Sequence, residues 1–404
     1  MSLLSLPSTL HRLAPTRAEV DLDAVRHNAR VLRSRAPGAE LMAAVKADAY
    51  GHGAVEVARA LAADGVERFA VATIPEGLEL RQAGIEQPVL VMGAPLPEHL
   101  PSFARYGLTV TVTSPEVADA VVEAAERAGP LTVHVKVDTG MNRLGVEPAD
   151  VPGVLAQLYG APGVEVEGLM THFATVDRVF TVAQAERFDA LLAALGESAP
   201  PLIHVSNSGT LLVVPEVAAV GRPIVRAGGA LYGLVSDRVA EGPAAGLRPA
   251  MRLVSRVVHV QTVEAGEAVS YGRTWTAETT RRIAVVACGY GDGLPRALSN
   301  SGTVGVGGLQ WRVAGRVCMD MLMIDLGEAD GPGGDVRPGD EAVLFGEGGP
   351  SAQRVAEQAD TIAYALTTGL TARVPRVYVG VPQEAPEGVP AGVPEPHANS
   401  GVAG

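Results

Sequence analysis

Between Val20 and about Ala250, short apolar runs rich in β-formers alternate with amphipathic helical stretches. The runs are ELMAAV at 40–45, RFAVAT at 68–73, PVLVMG at 88–93 and LTVTVT at 108–113. LTVHVKV at 131–137, GVEVEGLMTH at 163–172, PLIHVSNS at 201–208 and RPIVRAGG at 222–229 complete the set. Strands this continuously apolar need cover on both faces, which a parallel sheet with helical crossovers supplies. Helix candidates lie between them, such as LDAVRHNARVLRSR at 22–35 and SPEVADAVVEAAERAG at 114–129. Eight repeats of this kind predict a (β/α)8 barrel rather than an open sheet.

The pattern changes near residue 250. RLVSRVVHVQTV, RRIAVVACGYGDG, WRVAGRVCMDMLMIDL and DEAVLFG follow with few helical stretches, which predicts a mostly antiparallel β domain with one helix near 352–367. The chain therefore divides into a loose leader at 1–16, a barrel at 17–248, a β domain at 249–380 and a tail at 381–404. The tail is rich in Pro, Gly and Ala and is predicted to be disordered. A net charge of -13 argues against a nucleic-acid partner. The start of the chain lacks the basic and apolar regions of a signal peptide, and no run is long enough to span a membrane, so a cytoplasmic location is expected. Cys288 and Cys318 give neither a disulfide framework nor a zinc spacing, and no metal is expected.

The chain has 32 Lys plus Arg, of which only Lys46 and Lys136 are lysine. Arginine can replace lysine as a surface charge, but not as an amine nucleophile. Lys46 ends the first apolar run, in AAVKADAYGHG. Functional groups of a barrel gather at the C-terminal ends of its strands, and an amine there is a candidate for a Schiff base. Tyr50, Gly51 and Gly53 follow at what reads as a helix start, a setting that presents free N–H groups to a phosphate. A surface lysine on a strand–helix loop is the plain alternative. Other runs also end in polar groups: Lys136 with Asp138 and Arg143, His172, Asn207 with Ser208, and Arg226 before Gly228 and Gly229. Any one of these is ordinarily structural. Their coincidence on one expected face is the informative observation.

AAVKADAYGHG resembles the pyridoxal-phosphate attachment signature of alanine racemases. HVKVDTGMNRLG, GLMTHFATVD, HVSNSGT, RAGGALYG, VSYGRTW, GYGDGLPR, GRVCMDM and TGLTARVPRVY resemble the family's later motifs, in the same order, over approximately residues 17 to 380. The resemblance implies pyridoxal 5'-phosphate held covalently by Lys46, which then serves as a base on one face of the substrate Cα. Tyr271 would be the base on the opposite face. His172 and Arg226 would form a polar chain toward that tyrosine, with Arg226 facing the cofactor's ring nitrogen. Tyr50, Asn207, Ser208, Gly228, Gly229 and Tyr364 would bind the cofactor, chiefly its phosphate. Arg143 and the Met319 backbone N–H would bind the substrate carboxylate. Lys136 corresponds to a lysine carried as a carbamate that orients Arg143; an unmodified lysine in a polar network around Asp138 is the alternative.

The resemblance further implies a homodimer in which Tyr271 and Met319 complete the partner's site, and a role in supplying D-alanine for peptidoglycan. A broad-specificity or serine racemase on the same scaffold remains open, since one methylene or hydroxyl changes discrimination only modestly. A non-catalytic pyridoxal-phosphate carrier is the reading outside enzymology. Three positions depart from the family pattern: Ala365 replaces an acid, Leu294 an aromatic and Gly229 an aliphatic residue.

Overall fold

The computed structural model describes residues 13–218, 223–235 and 246–380. Residues 1–12 of the expected leader and the expected disordered tail at 381–404 lie outside the described residues. The first strand, β1 (Arg17–Asp21), runs directly into the helix Leu22–Ser34. Asp21 caps that helix by accepting from the Ala24 N–H at 3.0 Å. Leu22, Val25, Ala29 and Leu32 recur at helical spacing and are buried. The expected helix at 114–129 is present as Pro115–Ala128, capped by Ser114, with Pro at its first position and Gly129 at its end.

Each of the eight apolar runs holds one strand of a single sheet. These are β2 (Glu40–Ala44), β3 (Arg68–Val71), β4 (Val89–Val91), β5 (Thr109–Val112), β6 (Leu131–Lys136), β7 (Val164–Met170), β8 (Leu202–His204) and β9 (Ile224–Ala227). Their order is β8-β7-β6-β5-β4-β3-β2-β9 and every recorded pairing is parallel. The two-residue pleat sorts their side chains. Met42, Ala70, Leu90, Met170 and Ile224 form a small interior cluster. Leu41, Phe69, Val91, Val110 and Val133 pack in the larger core that includes the helices.

No ladder joins β8 to β9 among the described residues. Side-chain hydroxyls bridge this seam instead. Ser206 Oγ accepts from the Arg226 backbone N–H at 2.9 Å, and Ser208 Oγ from those of Gly228 and Ala230 at 2.8 and 3.2 Å.

The second sheet contains β10 (Met251–Val263), β13 (Arg281–Val286), β14 (Thr303–Val306), β15 (Leu309–Val313), β16 (Leu322–Asp325), β17 (Glu341–Phe345) and β18 (Arg376–Val379). Between β10 and β13 lies a small hairpin, β11 (Ala268–Val269) and β12 (Trp275–Thr276), whose loop carries Tyr271. The sheet is antiparallel apart from the β1–β18 pair, and a β10–β13 pairing closes part of it on itself. β1, placed with the barrel in the sequence reading, is hydrogen-bonded to β10 and β18 in this sheet. Its short alternating pattern buries Ala18 and Val20 there. Thr16, read as part of a loose leader, is only 4 % exposed, with its hydroxyl 2.8 Å from Ser255 Oγ. The single helix expected near 352–367 is two, Ala352–Gln358 and Ala363–Thr368. The chain turns between them at Asp360, whose φ is +53°.

Ser206→Ala would leave the buried Arg226 amide without its acceptor at the seam where, among the described residues, no ladder joins β8 to β9. The expected loss is about 1–3 kcal/mol of stability, read as a lower urea midpoint. An unchanged midpoint would show that the seam does not need the hydroxyl.

Candidate active site

A cavity of about 500 Å³ opens at the C-terminal ends of the parallel strands. Lys46, Lys136, His172, Asn207, Ser208 and Arg226 reach it from the ends of their runs. Tyr50, Arg143, Gly228 and Gly229 join them from the adjoining loops, and Tyr364 from the second domain. Two sequence candidates are not in its lining. Tyr271 is 73 % exposed and Met319 53 % exposed, both on the second domain.

The segment after Lys46 differs from expectation. Ala47, Asp48, Ala49 and Tyr50 all have φ between +51° and +55°, so the chain makes one left-handed turn in place of a helix start. Such a conformation costs about 1–2 kcal/mol per non-glycine residue, so the surroundings must hold it. Glu76 accepts from the Ala47 N–H at 2.7 Å while also binding the Ala72 and Thr73 amides. Asp48 accepts from the Ala54 N–H at 2.7 Å, and Arg376 donates to the Gly51 carbonyl at 3.0 Å. The regular helix begins only at Ala54, whose amide is therefore already used. What the turn delivers to the cavity is the Tyr50 ring, 6.0 Å from Lys46 Nζ.

The electrostatics at the mouth are dominated by cations. Burial lowers the Lys46 pKa, and Arg143 and Arg226 lower it further against an opposing effect of Glu76. Lys136, 6 % exposed, is pushed down to about 8 by burial and then by Arg143 and Arg226. Asp138 opposes this shift only in part. Its carboxylate accepts from the backbone N–H groups of Gly140, Met141, Asn142 and Arg143, at 2.8 to 3.2 Å, and so shapes the turn that carries Arg143. Arg226 is 4 % exposed and donates to the Thr171 carbonyl at 2.9 Å, to His204 Nδ1 at 2.7 Å and to His172 Nδ1 at 3.2 Å. A guanidinium only donates, so His172 must accept at Nδ1 and carry its proton on Nε2.

Elsewhere in the lining, two glycines face two phenols. A Cβ on Gly228 would meet the Tyr50 hydroxyl, and one on Gly229 would collide with the Tyr364 ring. Gly229, one of the departures from the family pattern, thus gives Tyr364 its seat. Tyr50 packs edge-on to Tyr364 at 5.5 Å and against Tyr232 at 5.1 Å. Asn207 caps the short helix Ser208–Val213 and donates to the Phe173 carbonyl at 3.1 Å. Asn207 therefore positions Ser208 through that cap. The Ser208 hydroxyl, the two phenols and the glycine backbone form a cradle suited to a small oxyanion.

Three supporting residues escaped the sequence reading. Glu76 holds the left-handed turn; its T-x-x-E spacing with Thr73 is a capping-box signal that could have revealed it. Tyr232 is buried under Tyr50 and donates to the Ala44 carbonyl at 2.9 Å. His204 touches Arg226 and shares the strand parity of Ser206, which marks it as interior.

The sequence matches the family described as alanine racemase, N-terminal domain, over residues 20–236, and alanine racemase, C-terminal domain, over residues 250–378. An alanine racemase of Carboxydothermus hydrogenoformans is 41% identical over 376 residues, spanning 91% of this chain and 100% of the relative. One of Thermobifida fusca is 40% identical, spanning 90% and 98%. Among solved structures, the alanine racemase of Streptomyces coelicolor A3(2) superposes with a TM-score of 0.85 at 39% identity, covering 91% of this chain and 99% of that one.

Three buried histidines and the half-buried His172 set the acid limit of this fold. Burial pushes His52 down to about 4, and burial followed by Arg226 pushes His172 down to about 2; burial followed by Arg226 lowers His204, and burial lowers His134 against the opposing Glu167 carboxylate. An unfolded histidine titrates near 6.5, so below about that pH the unfolded chain binds more protons and stability falls. Each ring contributes up to about 1.4 kcal/mol per pH unit. The loss continues at least to about pH 4, where His52 protonates in the fold. Urea midpoints between about pH 7.5 and 5 should drop steeply; a flat profile would contradict the buried neutral rings.

Proposed function

We infer that this chain, which belongs to the alanine racemase family, interconverts L-alanine and D-alanine with pyridoxal 5'-phosphate as cofactor. The observation that carries the reading is the half-buried amine of Lys46, its pKa lowered by desolvation and two arginines, beside an oxyanion cradle at the barrel mouth. Pyridoxal phosphate, bound through that amine, supplies the electron sink that makes the alanine Cα–H acidic. Tyr50, Ser208, Gly228, Gly229 and Tyr364 would hold its phosphate. Arg226, a permanent cation, would face the ring nitrogen and would leave it unprotonated. Arg143 and the Met319 N–H hold the substrate carboxylate.

Racemisation needs one group to take the Cα proton and another to return it on the opposite face. Lys46 serves one face: burial, Arg143 and Arg226 lower its pKa, which raises the uncharged fraction of the amine that can act as a base. Tyr271 serves the other. Its exposure, and that of Met319, supports a homodimer in which each second domain closes the partner's cavity. His172, with its proton on Nε2, is oriented by Arg226 and can donate toward that phenol. Lys136, pushed down to about 8, has an uncharged fraction open to carbon dioxide; the resulting carbamate orients Arg143 by charge-assisted hydrogen bonds. The reaction runs in the cytoplasm and its product serves peptidoglycan synthesis.

Chiral chromatography of L-alanine incubated with the cofactor-loaded protein tests the activity; an unchanged enantiomer ratio would refute it, and comparable turnover of serine would refute strict alanine specificity. Tyr271→Phe should lower kcat by about 10²–10⁴-fold in both directions. Mixing Lys46→Ala and Tyr271→Phe subunits should restore roughly a quarter of wild-type activity, the statistical share of intact shared sites. No recovery on mixing would place both groups in one subunit.

A further inference from the structure

The polar interior of the barrel continues below the cavity. β6 and β7 slip register: Val133 pairs with Val166, but His134 pairs with Gly168, leaving Glu167 as the extra residue of a bulge. Bulges re-aim side chains. Gly168 leaves the room that the His134 ring occupies, since a Cβ there would lie 2.6 Å from His134 Nδ1. Glu167 Oε2 is 2.9 Å from His134 Nε2, His134 Nδ1 is 2.8 Å from His204 Nε2, and His204 Nδ1 is 2.7 Å from Arg226 Nη1. The other Glu167 oxygen accepts from Arg68 at 2.8 Å, and Arg68 also reaches Glu40 at 2.6 Å.

Counting protons gives this chain a direction. Arg226 can only donate, so His204 Nδ1 is a lone pair and the His204 proton sits on Nε2. That proton must go to His134 Nδ1, which places the His134 proton on Nε2, where it meets the Glu167 carboxylate. The acceptors named around Arg226 are carbonyls and imidazoles, and a buried cation among neutral partners is expensive. Glu167 is the carboxylate to which the chain connects it.

We propose that Glu167 is a positioning residue for Arg226: through His134 and His204 it fixes both ring tautomers, so that His204 presents a lone pair to the guanidinium. The proposal rests on the reading of Arg226 as the cation that meets the cofactor. With the opposite tautomers an N–H of His204 would face Arg226, and the guanidinium would lose its hold on His172 and the Thr171 carbonyl.

Glu167→Gln is the discriminating variant. Arg68 retains the amide oxygen, so the amide NH2 turns to His134 and opposes its Nε2–H. Removing Arg68 as well, in Arg68→Met/Glu167→Gln, frees the oxygen to turn back. ¹⁵N NMR of histidine-labelled full-length protein, with and without pyridoxal phosphate, reads the tautomers directly; His134→Gln and His204→Gln assign the signals. In the wild type both rings should be neutral with the proton on Nε2. Glu167→Gln should lose that state and lower kcat about tenfold or more, with KM for alanine within about twofold, and the double variant should recover both. A wild-type proton on Nδ1 of either ring overturns the proposal, and does so even where a variant fails to fold. So does Glu167→Gln with unchanged tautomers and rate, or a double variant as impaired as the single. If the wild type does not racemise alanine yet the tautomers respond as described, the functional reading fails and the Glu167 assignment stands.

Discussion

The Arg226 guanidinium is the interaction on which the rest of the site depends. Its backbone amide bridges the barrel seam to Ser206, and its side chain binds the Thr171 carbonyl and two imidazoles. It also supplies part of the positive field that lowers both lysines. Burial alone pushes Arg226 down to about 10, still cationic at neutral pH. One permanent buried charge therefore helps shape the seam, the ring orientations and the amine pKa values together.

That field also explains why two lysines persist in a chain that otherwise uses arginine. A guanidinium at position 46 or 136 would add a fixed charge beside Arg143 and Arg226. An amine can shed its proton and relieve the repulsion. The same property gives Lys46 its proposed role as a base and Lys136 its proposed reactivity toward carbon dioxide.

Much of this was legible in the sequence. Continuous apolar runs fixed the parallel strands because a strand covered on both faces has little room for polar residues. Lys46, Lys136, His172 and Arg226 were legible because each interrupts or ends such a run. What could not be read was nonlocal or conformational. The pairing of β1 with β10 and β18 joins segments more than 200 residues apart. The left-handed turn at 47–50 is built mostly from Ala and Tyr, which do not announce a positive φ; only Asp48 is of a type enriched there. The bulge at Glu167 is invisible to a period-two reading, because it breaks that period. Of the family departures, Leu294 is 2 % exposed within the core, whereas Ala365 is exposed, and no structural consequence of either is apparent.

The central claim is that the Lys46 amine is the group that binds the cofactor. Borohydride reduction of the protein incubated with pyridoxal phosphate, followed by peptide mapping, tests it directly. A single pyridoxyl group is expected on the peptide containing Lys46, with none at Lys136. A label at Lys136, or no label on either lysine, would contradict it.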